Sequence, residues 1–272
     1  MFGYFKQRRR DRIRRQPFPS KWRELLVRRY PLYSRLPPAD RQELEGHILV
    51  FLAEKRFEGC GGQEITDEVR VLIASQACLL LLHRDTDYYP RLRSILVYPS
   101  SYLVKTLQSE VDGTVTEQEE VRLGESWSHG AVVLAWDEAI AGAVELHKRR
   151  NLVLHEFAHQ LDEEDGIVDG VPLLGDSTLW RISRRHRIWA KVLSAEFQQL
   201  RRAAAEGKET VLDTYGARNP AEFFAVVTEC FFEQPSRLKE QHPALYAELK
   251  EFYRQDPLLY ASAQPETNTA ST

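Results

Sequence analysis

The stretch that most constrains this chain is Leu152–Asp162, L-V-L-H-E-F-A-H-Q-L-D, which reads as a helix that must be buried on one side yet carries two imidazoles. On a helix His155 and His159 are four residues apart and project from one face. Two histidines at that spacing can hold one zinc ion, with Glu156 adjacent and able to polarise a bound water. Asn151 is suited to cap the helix, and Leu152, Val153, Leu154, Phe157, Ala158 and Leu161 supply the apolar surface that packs it.

A catalytic zinc takes three protein ligands and keeps one position open, so a third ligand has to come from elsewhere. The residues after His159 run Q-L-D-E-E-D, which excludes the H-E-x-x-H-x-x-G-x-x-H pattern and leaves a carboxylate or a distant histidine. Glu222, in Y-G-A-R-N-P-A-E-F-F (215–224), opens an apolar helix containing Phe223, Phe224, Val226, Val227 and Phe231. The same residues form a capping pattern, with Asn219 as cap, Pro220 at the first helical position and Glu222 at the third. Spacing does not choose between capping and ligation, and Glu229, seven residues on and on the same face, is the alternative ligand. The acidic segment 162–166 lacks the alternation of a calcium loop and reads as solvated. His47, His83, His129 and His147 stand outside any motif and read as surface or core histidines.

The 272 residues suffice for a substantial core. A net charge of −3 gives no overall electrostatic reason to expect nucleic acid or an anionic membrane as the main partner, and no direct nucleic-acid binding is expected. The cysteines Cys60, Cys78 and Cys230 are odd in number and form no C-x-x-C, which points to a reducing compartment. Residues 1–16 are strongly basic without the apolar core of a signal peptide, and the longest apolar run, 71–82, is too short to span a bilayer. The expectation is a cytoplasmic protein without membrane insertion. Its expected parts are a flexible, solvated arm (1–16), for which contact with anionic lipid or nucleic acid is the alternative, a single domain (17–257) and a disordered tail (258–272).

Helices are expected from Ser20, as cap, to about Tyr30, then at 39–57, 66–83, 137–148, 178–205, 220–233 and 243–253. Residues 59–62 read as a flexible break. Short strands are expected at 94–98, 111–115 around an Asp-Gly turn, 121–123 and 131–136. A small sheet between helical segments makes the fold class α+β.

Three motifs in order, V-V-L-A-W-D-E (132–138), L-H-E-F-A-H-Q-L-D (154–162) and N-P-A-E-F-F-A (219–225), resemble the Mlc titration factor A family of bacterial zinc-dependent peptidases over about residues 17–257. The resemblance implies a zincin-like fold related to the anthrax lethal factor catalytic domain, one zinc per chain on His155, His159 and Glu222, and Glu156 as general base. It also implies that Tyr215 assists at the transition state and that the activity is of the aminopeptidase type on peptide substrates. In zincins an edge strand pairs with the extended substrate, a role expected of the strand 131–136 through Ala131, Val133 and Ala135, with Trp136 walling a subsite. Asp162 is expected to support His159 from behind. The family name adds a second reading, sequestration of the Mlc transcriptional repressor of the glucose phosphotransferase system.

Overall fold

Helix α1 (Phe2–Arg14) is not the free arm that its charge suggested. Its Arg10 is 3% exposed and donates a bidentate pair to Glu54 at 2.9 and 2.7 Å, with a further bond to the carbonyl of Asp87 at 2.9 Å. A guanidinium can be buried only when so paired, and these partners lie far away in sequence. The computed structural model describes residues 2–100, 102–109, 115–122, 124–127, 130–145, 150–174 and 179–262.

Helices α2 (Ser20–Arg29), α3 (Pro31–Arg35) and α4 (Pro38–Glu54) follow. Ser20 is the first helical residue rather than the cap, which is Pro19. α4 ends before the expected 57 because Arg56–Gly59 forms strand β1, so Gly59 closes a strand rather than opening a free break. Helix α5 (Asp67–Leu79) is capped by Thr66, whose side chain accepts from Val69 N. Strands β2 (Ser94–Tyr98), β3 (Tyr102–Ser109), β4 (Val115–Arg122), β5 (Gly124–Trp127) and β6 (Ala131–Ala135) come next. The expected turn at 111–115 lies mostly outside the described residues, as do His129 and His147.

Helices α6 (Trp136–Val144) and α7 (Leu152–Asp162) lead through a 3-10 turn, Glu163–Asp165, to the long α8 (Leu179–Ala205). A second 3-10 turn, Thr214–Ala217, precedes α9 (Pro220–Glu233), α10 (Pro235–Gln241), α11 (Pro243–Tyr253) and α12 (Pro257–Ser262). The expected disordered tail is therefore helical as far as Ser262, and 263–272 fall outside the described residues.

The fold is α+β. One sheet has the order β1-β2-β6-β5, parallel across its first three strands and antiparallel at β5, while β3 and β4 form a separate antiparallel pair. α7 lies centrally. Its Phe157 meets Tyr89 at 4.9 Å and Phe51 at 5.7 Å between ring centroids. Tyr88 and Tyr89 both have left-handed backbone, at φ 57° and 54°, a conformation that costs a non-glycine residue about 1 kcal/mol or more. The strain is held by buried contacts, since Tyr89 donates to Ala77 O at 2.6 Å and Lys55 Nζ to the carbonyls of Tyr89 and Leu92 at 2.7 Å each. On its other side α9 is fixed by aromatic packing of Phe224 and Phe231 against Trp189, Phe252 and Tyr253. Among the described residues no helix is long and apolar enough to cross a membrane.

Candidate metal centre

Asn151 sets where α7 begins. Its Oδ1 accepts from Leu154 N at 3.1 Å, which caps the helix, and its Nδ2 donates to Gly142 O and to Glu233 Oε1 at 3.1 and 2.9 Å. Its own backbone N donates to Glu229 Oε2 at 2.6 Å. This buried residue thus ties α7 to α6 and α9 together. Gly142 makes the approach possible, because a Cβ there would stand 2.9 Å from Asn151 Cγ.

α9 is capped as the sequence suggests, Asn219 Oδ1 accepting from Glu222 N at 2.9 Å. Capping and ligation prove compatible, because the cap uses the backbone of Glu222 and leaves its carboxylate to turn toward α7. Glu222 Oε2 lies 3.1 Å from His155 Nε2 and 3.4 Å from His159 Nε2, and the two Nε2 atoms are 3.3 Å apart. Among the described residues this trio is the one His/Cys/Asp/Glu group whose ligand atoms converge closely enough to share an ion.

Behind His155, Glu229 Oε1 lies 2.7 Å from Nδ1. A carboxylate can only accept, so Nδ1 carries a hydrogen; a neutral ring then presents a lone pair at Nε2, and a charged ring a second N–H toward Glu222. The lone pair of the neutral ring faces a carboxylate oxygen and a second imidazole nitrogen. One proton can relieve only part of this mutual repulsion; a cation at the centre relieves all of it. Ligands bound at 2.0–2.1 Å around a tetrahedral ion stand about 3.3–3.4 Å from one another, the spacing found here. The residues present therefore fit zinc in size and in donor type.

The electrostatics agree. Burial pulls the His155 pKa down, but the carboxylates of Glu229 and Glu222 outweigh it and hold the imidazole well above its usual range. Burial likewise opposes ionisation of Glu222, and bonds from both histidines override it, bringing its carboxyl down to about 2. The cluster favours positive charge at its centre. Glu156 is only 4% exposed, burial raises its pKa, and its Oε2 has no hydrogen-bond partner among the described residues. A buried carboxylate oxygen left in that state costs stability and suits a group that meets water or substrate.

Tyr215 sits on the 3-10 turn before α9, its ring 5.9 Å from that of His155 and covered by the Arg218 guanidinium at 4.3 Å. Its backbone N is held by Asp213 Oδ1 at 2.9 Å. Three expectations require correction. Asp162 makes its hydrogen bond elsewhere than to His159: its Oδ2 accepts from Gly170 N at 2.8 Å, and burial pushes its carboxyl up to about 6. That bond seats the loop after α7 against α9, since Gly170, at φ 79°, leaves only 2.4 Å between a notional Cβ and Pro220 O. Glu229, the alternative ligand, instead meets the Nδ1 side of the His155 ring, away from the Nε2 atom that faces Glu222.

The third correction concerns the sheet. β6 is not an edge, because β2 and β5 pair with its two sides. Val133 and Ala135 are buried, Ala131 and Trp136 half-buried, and Trp136 begins α6. The backbone of β6 has no free side for a substrate, and the end strand next to it is β5. Sequence reasoning missed the joint role of Asn151, Glu229 and Glu233, although the spacing of Glu222 and Glu229 already put both on one face of α9.

A family model described as glucose-regulated metallo-peptidase M90 matches residues 5–254. An uncharacterized protein of Synechocystis sp., slr2042, is 43% identical over 255 residues, covering 92% of this chain and 90% of the relative. Mlc titration factor A of Klebsiella pneumoniae is 32% identical over 246 residues, covering 87% and 86% respectively. The protein of the same name from Yersinia pestis is 31% identical over 242 residues, covering 88% and 86%.

Proposed function

From its membership of the glucose-regulated metallo-peptidase M90 family, to which this chain belongs, we propose that it is a zinc-dependent peptidase with one zinc per chain held by His155, His159 and Glu222. The observation that carries the reading is the convergence of two Nε2 atoms and one carboxylate oxygen at 3.1–3.4 Å. Zinc, when bound, supplies Lewis acidity and brings water toward ionisation near neutral pH. Glu156 takes the proton of the attacking water and returns it to the departing amine, and burial suits it to this by raising its affinity for that proton. The Tyr215 hydroxyl donates to the carbonyl oxygen as negative charge develops there. Glu229 holds His155 in the tautomer that leaves Nε2 free.

The peptide lies along β5, which pairs on one side only among the described residues, in a zincin-like arrangement. The narrower aminopeptidase assignment rests on the family resemblance. A reducing, cytoplasmic setting is supported by Cys60, Cys78 and Cys230, none of which forms a disulfide.

The test is zinc content together with hydrolysis of a chromogenic peptide panel, for wild type, Glu156→Ala and Glu222→Ala. One zinc per chain is expected in wild type; Glu156→Ala keeps the metal and loses hydrolysis, and Glu222→Ala loses both. Full zinc retention in Glu222→Ala overturns the ligand set. A second reading follows from the names of the Klebsiella and Yersinia relatives, in which the chain binds and sequesters a repressor of the Mlc type. Stoichiometric zinc without hydrolysis of any peptide favours that reading.

A further inference from the structure

Helix α1 divides cleanly into two faces. Lys6, Arg10, Ile13 and Arg14 form the docked face: Lys6 pairs with Asp87 at 2.7 Å, Arg10 with Glu54 at 2.7 Å, Arg14 Nε donates to Tyr88 OH at 2.8 Å, and Ile13 packs on the core. The opposite face carries Phe5, Arg8, Arg9, Arg12 and Arg15, all exposed, with Tyr4 beside it. Among the described residues no ion-pair partner lies against any of these four arginines. Tyr4 and Phe5 are 59% and 62% exposed, and the Arg8 guanidinium sits 4.9 Å over the Tyr4 ring.

Charge in this chain is sharply segregated. Residues 1–16 hold Lys6 and six arginines against a single acid, Asp11, while the whole chain is net negative. An exposed arginine stripe ending in two exposed aromatics, on a helix locked to the body by buried Arg10, is a preformed surface for an extended anionic partner. Arginines alone suit nucleic acid and lipid equally. The aromatics at one end favour lipid, because amphipathic rings settle at the headgroup boundary and add apolar burial to the electrostatic attraction. We propose that α1 is a peripheral docking face for an anionic lipid surface, lying on the membrane without crossing it and independent of the metal centre.

The full-length protein is tested by co-sedimentation with phosphatidylcholine vesicles and with vesicles enriched in phosphatidylglycerol. Binding is expected only to the anionic vesicles and is expected to weaken as salt rises. Each arginine near such a surface contributes about fivefold, so Arg8→Ala/Arg9→Ala/Arg12→Ala is expected to lower the partition coefficient about a hundredfold. Tyr4→Ala/Phe5→Ala is expected to abolish the binding that survives at high salt. Circular dichroism and peptide hydrolysis stay at wild-type level in both variants, since none of these residues touches the metal centre. Equal binding to neutral vesicles, no binding to either, or wild-type binding by the triple variant overturns the proposal. So does duplex DNA that binds α1 more tightly and displaces the vesicles, an outcome that assigns the stripe to nucleic acid.

Discussion

Glu229→Gln is the most informative single change, because it alters charge and hydrogen-bond polarity without altering shape. Glu229 accepts twice, from His155 Nδ1 at 2.7 Å and from Asn151 N at 2.6 Å, and is 5% exposed. Glutamine has one acceptor and one donor end, and neither orientation satisfies both partners. With its oxygen toward His155, its NH2 opposes the buried N–H of Asn151. With its oxygen toward Asn151, its NH2 requires His155 Nδ1 to accept, which moves the ring proton to Nε2 and blocks the ligand position.

Losing one hydrogen bond to a charged group costs about 1.5–3 kcal/mol. For a chain near this size, each kcal/mol lowers the melting temperature by roughly 2–4 °C. The first orientation therefore predicts a fall of about 3–12 °C in the metal-free protein. The second predicts zinc affinity about 10–100-fold weaker, the usual effect of losing a carboxylate behind a metal-bound histidine. Thermal denaturation of the apo protein and competition with a chromophoric chelator measure the two costs separately. Wild-type melting temperature and wild-type zinc affinity together in Glu229→Gln would refute the reasoning.

Other outcomes follow from the same geometry. Tyr215→Phe is expected to lower kcat about 10²–10³-fold with zinc content and KM retained; an unchanged kcat removes the hydroxyl from the reaction. Gly142→Ala forces Asn151 aside and is expected to cost about 1–3 kcal/mol by urea denaturation, with weakened zinc binding; an unperturbed midpoint contradicts the close approach. Lys55, whose buried amine donates to two carbonyls, has its pKa lowered by burial from 10.5 to about 8. Between those values the unfolded chain binds the proton and the folded chain does not, so this contribution to stability rises with pH, is complete above 10.5 and is lost as pH falls through about 8. Urea midpoints measured across that window should climb more steeply for wild type than for Lys55→Met, and parallel profiles would exclude the effect.

What could be read from the sequence was what is determined locally. The bounds of α7 and α9, their Asn151 and Asn219 caps, and the pairing of His155 with His159 depend on neighbours within one or two turns. What could not be read depends on distant partners. Four exposed or half-exposed residues make β1 a strand only because β2 lies alongside. Apolar alternation in 131–136 marks a strand but says nothing about how many neighbours it has, so β6 read as an edge while it is interior. The charge of α1 suggested solvation, yet Arg10 finds Glu54 and Asp87 only once the fold brings them together. Glu229 was placed on the helix face that carries Glu222, as the alternative ligand, and its bond to His155 Nδ1 was not foreseen. Ligand and supporting carboxylate share one chemistry and differ by a side-chain length, which spacing does not resolve.

The knot at Asn151 bears on how metal loading and folding are coupled. In zinc fingers the ion organises the chain, and chelation unfolds it. Here one asparagine joins α6, α7 and α9 through bonds that involve no metal ligand atom, with an aromatic core on either side of them. The proposed ligands His155, His159 and Glu222 are carried on helices joined by bonds that need no ion. Zinc would then exchange as a local event in a standing scaffold, and an emptied molecule would remain folded and ready to be reloaded.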